Sequence, residues 1–149
     1  MKFYIATDHA GFILKAFVIE YLSAKGHEII DLGPMSDERV DYPDFAKKCA
    51  GKVIADDGSF GILICGTGIG ISIAANKVAG IRAALCHDAY TASMCRAHND
   101  ANILCFGERV VGKGVIESML NAFCETQFEG GRHGDRVAKI EGCDIGRVE

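Results

Sequence analysis

A glycine-rich loop, Cys65-Gly-Thr-Gly-Ile-Gly70, constrains the fold of this chain more than any other segment. It follows the apolar run Gly61–Ile64, which is typical of a strand buried on both faces of a sheet, and it leads into a stretch with helical character. Glycines allow positive φ and leave backbone amides uncovered. Amides at a helix N-terminus favour an anion and the thiolate form of a nearby cysteine. The loop is therefore predicted to be a site of chemistry, and the alternative is a tight turn that binds nothing.

Short apolar runs alternate with amphipathic stretches along the chain, which predicts βαβ units and a parallel α/β sheet. Strands are predicted at residues 3–6, 28–31, 62–65, 82–85 and 102–106. Helices are predicted at about 11–25, 43–56, 70–78, 88–97 and 112–126, with a last short helix at 132–141. The chain has 149 residues and neither an internal repeat nor a linker, so we expect one domain, residues 1–149.

The charge and hydropathy of the chain exclude several classes of partner. A net charge of −4 disfavours nucleic acid and acidic lipid, because the surface as a whole would repel them. The apolar runs stop at about six residues, well short of a membrane span. The N-terminal segment becomes polar too soon for a signal peptide, so we expect a cytoplasmic protein. An anionic ligand would need a local cluster of cations, for which Arg109, Arg132 and Arg136 are the candidates.

The seven cysteines are predicted to be reduced thiols. Their number is odd, and most lie in apolar patterns where a free cysteine behaves as a small hydrophobic residue. The chain contains no Cys-x-x-Cys, which also disfavours a thiol-redox protein. Cys86, His87, Cys95 and His98 fit no common zinc-ligand spacing, so no metal site is predicted.

Polar residues follow nearly every predicted strand. In open parallel sheets ligands bind beyond the carboxyl ends of the strands, so one shared site is expected there. Its candidate residues are Asp8 and His9 after the first strand, Tyr42 after the second, the glycine loop after the third and Arg109 after the fifth. Asp8 is also typical of a helix N-cap, and that structural interpretation stays open.

Two further motifs have both a structural and a functional interpretation. His98 closes a predicted helix, where it is typical either of a residue that pairs with the helix dipole or of a proton shuttle. Arg132 and Arg136 are four residues apart, so on a helix they would share one face and either hold a phosphate or remain solvated. Cations at a helix start are unfavourable unless an anion binds them, which favours the phosphate site.

Taken together, these motifs resemble those of the sugar-phosphate isomerase family typified by type B ribose-5-phosphate isomerases. The resemblance runs in register from about residue 3 to residue 141. The matching motifs are Asp8-His9-Ala-Gly11, Asp41-Tyr42-Pro43, Ile64–Lys77, Gly80-Ile-Arg82, His98-Asn99-Asp100, Phe106–Gly112 and Gly130–Val137. So many motifs in the same order make a chance similarity implausible.

The resemblance implies a three-layer α/β/α sandwich of Rossmann-like type with a five-stranded parallel sheet. It implies the interconversion of ribose 5-phosphate and ribulose 5-phosphate with neither metal nor cofactor. It also implies a homodimer or a dimer of dimers with the site across the subunit interface. In that arrangement the His98 region of one copy serves the Cys65 loop of the other.

The resemblance further implies a role for each matching residue. Cys65 is implied to be the base that moves a proton between C2 and C1 of the sugar, and Thr67 and His98 are implied to open its ring. The implied substrate-binding residues are Asp8, His9, Tyr42, Gly66, Gly68, Gly70, Ser72, Asn99, Arg109, Arg132 and Arg136. Among them, His9 and the three arginines look like a phosphate clamp, and Asn99 helps to hold the enediolate. Backbone amides of residues 68–72 are the expected oxyanion donors.

Other functions remain open at this point. An isomerase of a six-carbon 6-phosphate, such as allose 6-phosphate, would differ only in pocket depth. A non-catalytic sugar-phosphate binding module would keep the arginines but would not need Cys65 and His98, and both are present. The galactose-6-phosphate branch of the family divides the site between two different chains. This chain retains both halves, which favours the pentose enzyme.

Overall fold

Five strands and six helices alternate along the chain in the structure, a computed structural model that describes residues 1–142. The strands are β1 (Lys2–Thr7), β2 (Glu28–Asp31), β3 (Phe60–Cys65), β4 (Ala83–Leu85) and β5 (Ile103–Gly107). The helices are α1 (Phe12–Ala24), α2 (Tyr42–Ala55), α3 (Ile69–Ala75), α4 (Ala89–Asn99), α5 (Lys113–Glu125) and α6 (Arg132–Glu141). All the strands pair in parallel and form one sheet in the order β2-β1-β3-β5-β4. The predicted α/β class and five-stranded parallel sheet are confirmed.

Helices cover both faces of the sheet and make the three layers. Side chains of a strand point alternately to the two faces. Ile5 and Ile64 therefore pack in the core beneath α1, α4 and α5, whereas Ala6 and Cys65 pack in the core beneath α2 and α3. Because both faces are covered, the central strands are apolar throughout, as the Gly61–Ile64 run predicts. The last helix, α6, packs against α4.

The predicted elements are all present, with ends that differ by up to three residues. The largest difference is in α3, which is predicted to reach residue 78 but ends at Ala75. Just beyond it, the side-chain amide of Asn76 donates to the carbonyls of Ser72 over 3.0 Å and Ala83 over 2.8 Å. The amide of Ala83 donates back to Asn76 Oδ1 over 2.8 Å. This link between α3 and β4 is a tertiary contact, and the hydrophobic periodicity of the sequence does not predict it.

The cysteines within residues 1–142 are free thiols, and Cys143 lies outside the described residues. Burial raises the pKa of Cys49 to about 12 and raises that of Cys105 well above its usual range. These two thiols are therefore neutral packing groups at ordinary pH. In the same part of the chain, no helix combines the length and the apolar character needed to cross a membrane.

Candidate active site

The carboxyl ends of β1 and β3 lie side by side at the centre of the sheet, at the position where open parallel sheets form their ligand crevice. From β1 the chain passes to β2 on one side of the sheet, and β3 lies on the other side, so the strand order reverses between them. Open parallel sheets bind ligands at such reversal points. The amide of Asp8 donates to the carbonyl of Ile64 over 3.1 Å, which joins the two strand ends. The fold therefore places its most favourable ligand position beside the end of β3.

Cys65 ends β3 at this crevice, and its side chain is held by the loop that follows. The amide of Gly68 donates to Sγ of Cys65 over 3.1 Å. A backbone N–H directed at a sulfur is the contact that a thiolate accepts. Cys65 is 5% exposed and belongs to the core beneath α2 and α3, at the edge where β3 ends. The sulfur is thus shielded from bulk water but adjacent to the crevice.

The loop needs glycine for steric reasons. Gly68 has φ +79°, and an added Cβ would lie 2.6 Å from Cδ1 of Leu85 and 2.7 Å from the carbonyl carbon of Phe106. A Cβ on Gly66 would lie 3.2 Å from Nη1 of Arg109. The guanidinium of Arg109 therefore packs against the loop backbone, and the two glycines let the loop approach its neighbours.

The first turn of α3 offers fewer free amides than expected. The amide of Ser72 donates to the carbonyl of Gly68 over 3.2 Å, and its hydroxyl donates to the carbonyl of Ile69 over 2.8 Å. Since α3 begins at Ile69, the amide of Ser72 already has a helical acceptor, and the prediction that it is a free oxyanion donor is wrong. Within residues 1–142, the amides of Gly70 and Ile71 donate to no acceptor, as expected for the first turn of a helix.

Thr67 and Tyr42 border the same loop. Thr67 is exposed, and its Oγ1 accepts from the amide of Ile69 over 3.2 Å. An added Cβ on Gly70 would lie 2.7 Å from Cζ and 2.9 Å from Oη of Tyr42, so the phenol ring lies over the Gly70 backbone. Tyr42 is 39% exposed, which leaves its hydroxyl available to a ligand beside the loop.

Asp8 and His9 lie on the β1 side of the crevice. Oδ1 of Asp8 accepts from the amides of Ala10 over 2.9 Å and Gly11 over 3.2 Å. This oxygen therefore holds the turn from β1 into α1, which agrees with the capping interpretation. Oδ2 of Asp8 has no hydrogen-bond partner within the described residues and remains a possible ligand contact. Nδ1 of His9 lies 3.3 Å from the carbonyl oxygen of Val40.

A second group of predicted site residues lies around α4 and α6. His98 is in the last turn of α4, and its ring stacks on that of His133 with centroids 4.2 Å apart and planes 2° from parallel. Asn99 is the exposed last residue of α4. Arg132 and Arg136 are exposed on α6, and neither has an ion-pair partner in residues 1–142. Both arginines are therefore free to bind an anion.

The two groups lie at opposite ends of the strands. A helix that follows a parallel strand runs back along the sheet, so the end of α4 lies near the start of β5, whereas Cys65 ends β3. α4 has 11 residues, and its length of about 16 Å measures the offset. One copy of the chain does not bring His98 to its own Cys65. This geometry is compatible with the prediction that His98 serves the loop of another copy.

Glu129 and His133, which the sequence analysis leaves unassigned, lie beside His98. Oε2 of Glu129 is 3.5 Å from Nε2 of His133 and 3.9 Å from Nε2 of His98. The ligand atoms of the three residues lie within 4.8 Å of one another, close enough for a metal ion. The two rings are parallel, however, so their in-plane lone pairs do not meet at one ion unless a ring rotates. The spacing of four residues between Glu129 and His133 is the sequence signal for this pair.

Burial lowers the pKa of His133, and the neighbouring His98 and Arg132 lower it further. Glu129 acts in the opposite direction but does not reverse the shift. His133 therefore favours its neutral form.

Comparisons with known proteins give the family. Residues 3–140 match the family model described as Ribose/Galactose Isomerase. The chain is 50% identical over 139 residues to ribose-5-phosphate isomerase B of Escherichia coli (strain K12), and the match covers 93% of both proteins.

Solved structures of similar sequence and fold come from the same family. A ribose-5-phosphate isomerase B from Clostridium thermocellum superposes with a TM-score of 0.93 at 51% identity, over 95% of this chain and 96% of that chain. The Mycoplasma genitalium ribose-5-phosphate isomerase B, solved with bound ribulose-5-phosphate, gives a TM-score of 0.90 at 44% identity, over 95% of this chain and 94% of that chain. The chain belongs to the ribose/galactose isomerase family.

Proposed function

We propose that this chain interconverts ribose 5-phosphate and ribulose 5-phosphate, with Cys65 as the base. The isomerase activity follows from relatives of that name at 50% and 51% identity over nearly the whole chain. The assignment of Cys65 rests on one observation, the hydrogen bond from the Gly68 amide to Sγ at the strand reversal point. That contact gives the sulfur a donor for negative charge beside the position where the sheet favours a ligand.

The reaction moves hydrogen between adjacent carbons, and a thiolate can remove it and return it. The Cys65 thiolate takes the proton from C2 of the open-chain aldose, and the remaining electron pair forms a C1–C2 double bond. The carbonyl oxygen on C1 then becomes the enediolate oxygen. The thiol returns a proton to C1 while the proton on O2 passes to O1, which gives the ketose and restores the thiolate.

Backbone amides stabilise the enediolate in this mechanism. The free amides of Gly70 and Ile71 point out of the first turn of α3, next to the loop that holds Cys65. Each oxyanion donor of this kind is typically worth about 3 kcal/mol in the transition state. Thr67 and His98 open the furanose ring before the proton transfer begins.

The remaining predicted residues bind the substrate. Oδ2 of Asp8 and the hydroxyl of Tyr42 contact the sugar from the same copy that provides Cys65, and Asn99 joins them from α4. The phosphate clamp consists of His9, Arg109, Arg132 and Arg136. The phosphate is remote from the reacting carbons, so its binding energy orients the sugar.

A complete site requires two copies of the chain, because the Cys65 loop and the end of α4 lie at opposite ends of the strands. We therefore expect a homodimer or a dimer of dimers with the site between subunits. Residues 1–142 then form one isomerase domain that acts in the pentose phosphate pathway, and the rest of the predicted domain, 143–149, lies outside the described residues. The free thiols fit a reducing compartment such as the cytoplasm.

The direct test is turnover of the purified chain on ribose 5-phosphate and allose 6-phosphate, side by side and without added metal. Cys65→Ala should abolish turnover while sugar-phosphate binding changes by less than about tenfold, because only the base is removed. Cys124→Ser, at a partly exposed thiol on α5, is the matched control and should keep full activity. Turnover by Cys65→Ala near that of the wild type would refute the assignment of the base. A preference for allose 6-phosphate would identify the six-carbon alternative.

Mixing two inactive variants tests the site between copies. Cys65→Ala and His98→Asn should each be inactive alone, but a mixed dimer has one site in which both residues are intact. Refolding the two variants together should therefore restore activity, to about a quarter of the wild-type level if subunits pair at random. The two variants refolded separately and then assayed together are the control. Activity that stays at the level of that control would contradict the shared site.

A further inference from the structure

The rings of His98, at the end of α4, and His133, at the start of α6, stack on each other. His98 is 39% exposed, and no hydrogen bond fixes its ring within the described residues. Its ring stacks face to face on the ring of His133, with centroids 4.2 Å apart and planes 2° from parallel. His133 is only 5% exposed, so its ring is held by the surrounding protein. A buried ring therefore lies directly against a partly exposed one.

We propose that His133 is a positioning residue that holds the plane of the His98 imidazole. This inference rests on the proposed role of His98 in ring opening. A proton leaves or joins an imidazole along the ring plane, so an exposed histidine with a free ring direction is a poor proton donor. Stacking on a buried ring removes that freedom without using either ring nitrogen. His98 then keeps both nitrogens for the sugar.

The segment before α6 holds the two stacked rings in place. Glu129 faces both rings, with Oε2 3.5 Å from Nε2 of His133 and 3.9 Å from Nε2 of His98. The backbone amide of Glu129 also donates to the carbonyl of Ala97 over 3.0 Å, one residue before His98. This bond ties the segment before α6 to the end of α4 and so maintains the stack.

Ring-opening and proton-transfer assays separate this role from a general structural one. His133→Ala should lower kcat for ribose 5-phosphate roughly tenfold with little change in KM, because the ring of His98 loses its support. Deuterium uptake from D₂O into C1 of ribulose 5-phosphate needs Cys65 but no ring opening, so it should stay at the wild-type rate. His133→Phe, which keeps a flat ring in the same pocket, should restore kcat to within about threefold of the wild type. Lys139→Ala, on an exposed turn of α6, is the control for changes to that helix.

Equal loss of isomerisation and of deuterium uptake in His133→Ala would overturn the proposal, and so would a failure of His133→Phe to restore kcat. If His98→Asn keeps full activity, the proposed role of His98 in ring opening fails. If His98→Asn is inactive but His133→Ala keeps full activity, only the positioning role of His133 is refuted.

Discussion

Replacing Gly68 by alanine tests whether the loop around Cys65 is as close to its neighbours as the structure indicates. The residue has φ +79°, and an added Cβ would lie 2.6 Å from Leu85 and 2.7 Å from the backbone of Phe106. Positive φ costs an L-residue about 1–2 kcal/mol. Overpacking against a core that cannot yield costs about 1–3 kcal/mol more. Alanine also reduces the entropy of the unfolded chain, which returns about 0.4–1 kcal/mol.

These terms predict that Gly68→Ala lowers the free energy of unfolding by about 1–5 kcal/mol. Two other glycines separate the contributions. Gly58 has φ +78° with nothing within 4 Å of an added Cβ, so Gly58→Ala measures the backbone strain alone. Gly114 lies in α5 with neither positive φ nor a close neighbour, so Gly114→Ala should be neutral or stabilising by up to about 1 kcal/mol.

Urea unfolding of the three variants and the wild type at one protein concentration measures these differences. Gly68→Ala should be less stable than Gly58→Ala by about 1–3 kcal/mol, the share that comes from close packing. Its kcat should fall about a hundredfold under native conditions, because the shifted loop withdraws an amide from the Cys65 sulfur. Gly58→Ala should keep its kcat. Equal stability of Gly68→Ala and Gly58→Ala would refute the close approach, and normal turnover in Gly68→Ala would refute the role of its amide.

Three further outcomes are expected. Arg132→Ala should raise KM for ribose 5-phosphate by about tenfold or more, because the proposed clamp loses a cation. The free energy of unfolding should change by less than about 0.5 kcal/mol, because the side chain has no ion-pair partner in residues 1–142. An unchanged KM would remove Arg132 from the proposed clamp. Iodoacetamide at pH of about 8 should inactivate the protein by modifying Cys65. Cys49 and Cys105 should stay unmodified, because burial raises the pKa of both thiols. Peptide mass mapping checks this, and inactivation while Cys65 stays unmodified would contradict it. Hydrogen bonds from Thr91 lower the pKa of Asp88, so this N-cap of α4 stabilises the fold above the unfolded pKa of about 4 and loses that effect as pH falls through its lower folded pKa. Asp88→Asn should therefore be less stable than the wild type at neutral pH but not in strong acid, as urea unfolding across that range would show.

Most of the fold was predictable because a layered fold requires a periodic pattern of apolar residues in the sequence. A strand covered on both faces must be apolar throughout, and the helices between strands must be apolar on one side. These requirements locate β3 and α5 to within two residues. The end of α3 was not predictable in this way. It depends on how the side chain of Asn76 reaches Ala83, a contact between elements that local pattern does not encode.

The candidate site was predictable where its residues follow strands, and less so elsewhere. Asp8, Tyr42 and Cys65 come together because parallel strands end at one edge. The number of free amides in the loop was overestimated. Whether the amide of Ser72 is free depends on the residue at which α3 begins, and the sequence does not fix that residue. Glu129 and His133 were missed because neither follows a strand. Their contact with His98 comes from packing between α4 and α6, which only the structure reveals.

The separation of Cys65 from His98 is a consequence of the fold rather than an accident of placement. In a parallel α/β sheet every helix carries the chain back from one end of the strands to the other, so the C-terminal ends of helices and of strands lie at opposite edges. The proposed reaction needs residues from both edges, and we therefore expect it to use a second copy of the chain with its edges reversed. A two-fold symmetric pair would form two such sites at once, because its interface residues would meet different residues of the partner. The proposed base at a strand end and the proposed proton donor at a helix end thus favour a symmetric dimer, and a monomer that turned over ribose 5-phosphate at the full rate would contradict the division of the site.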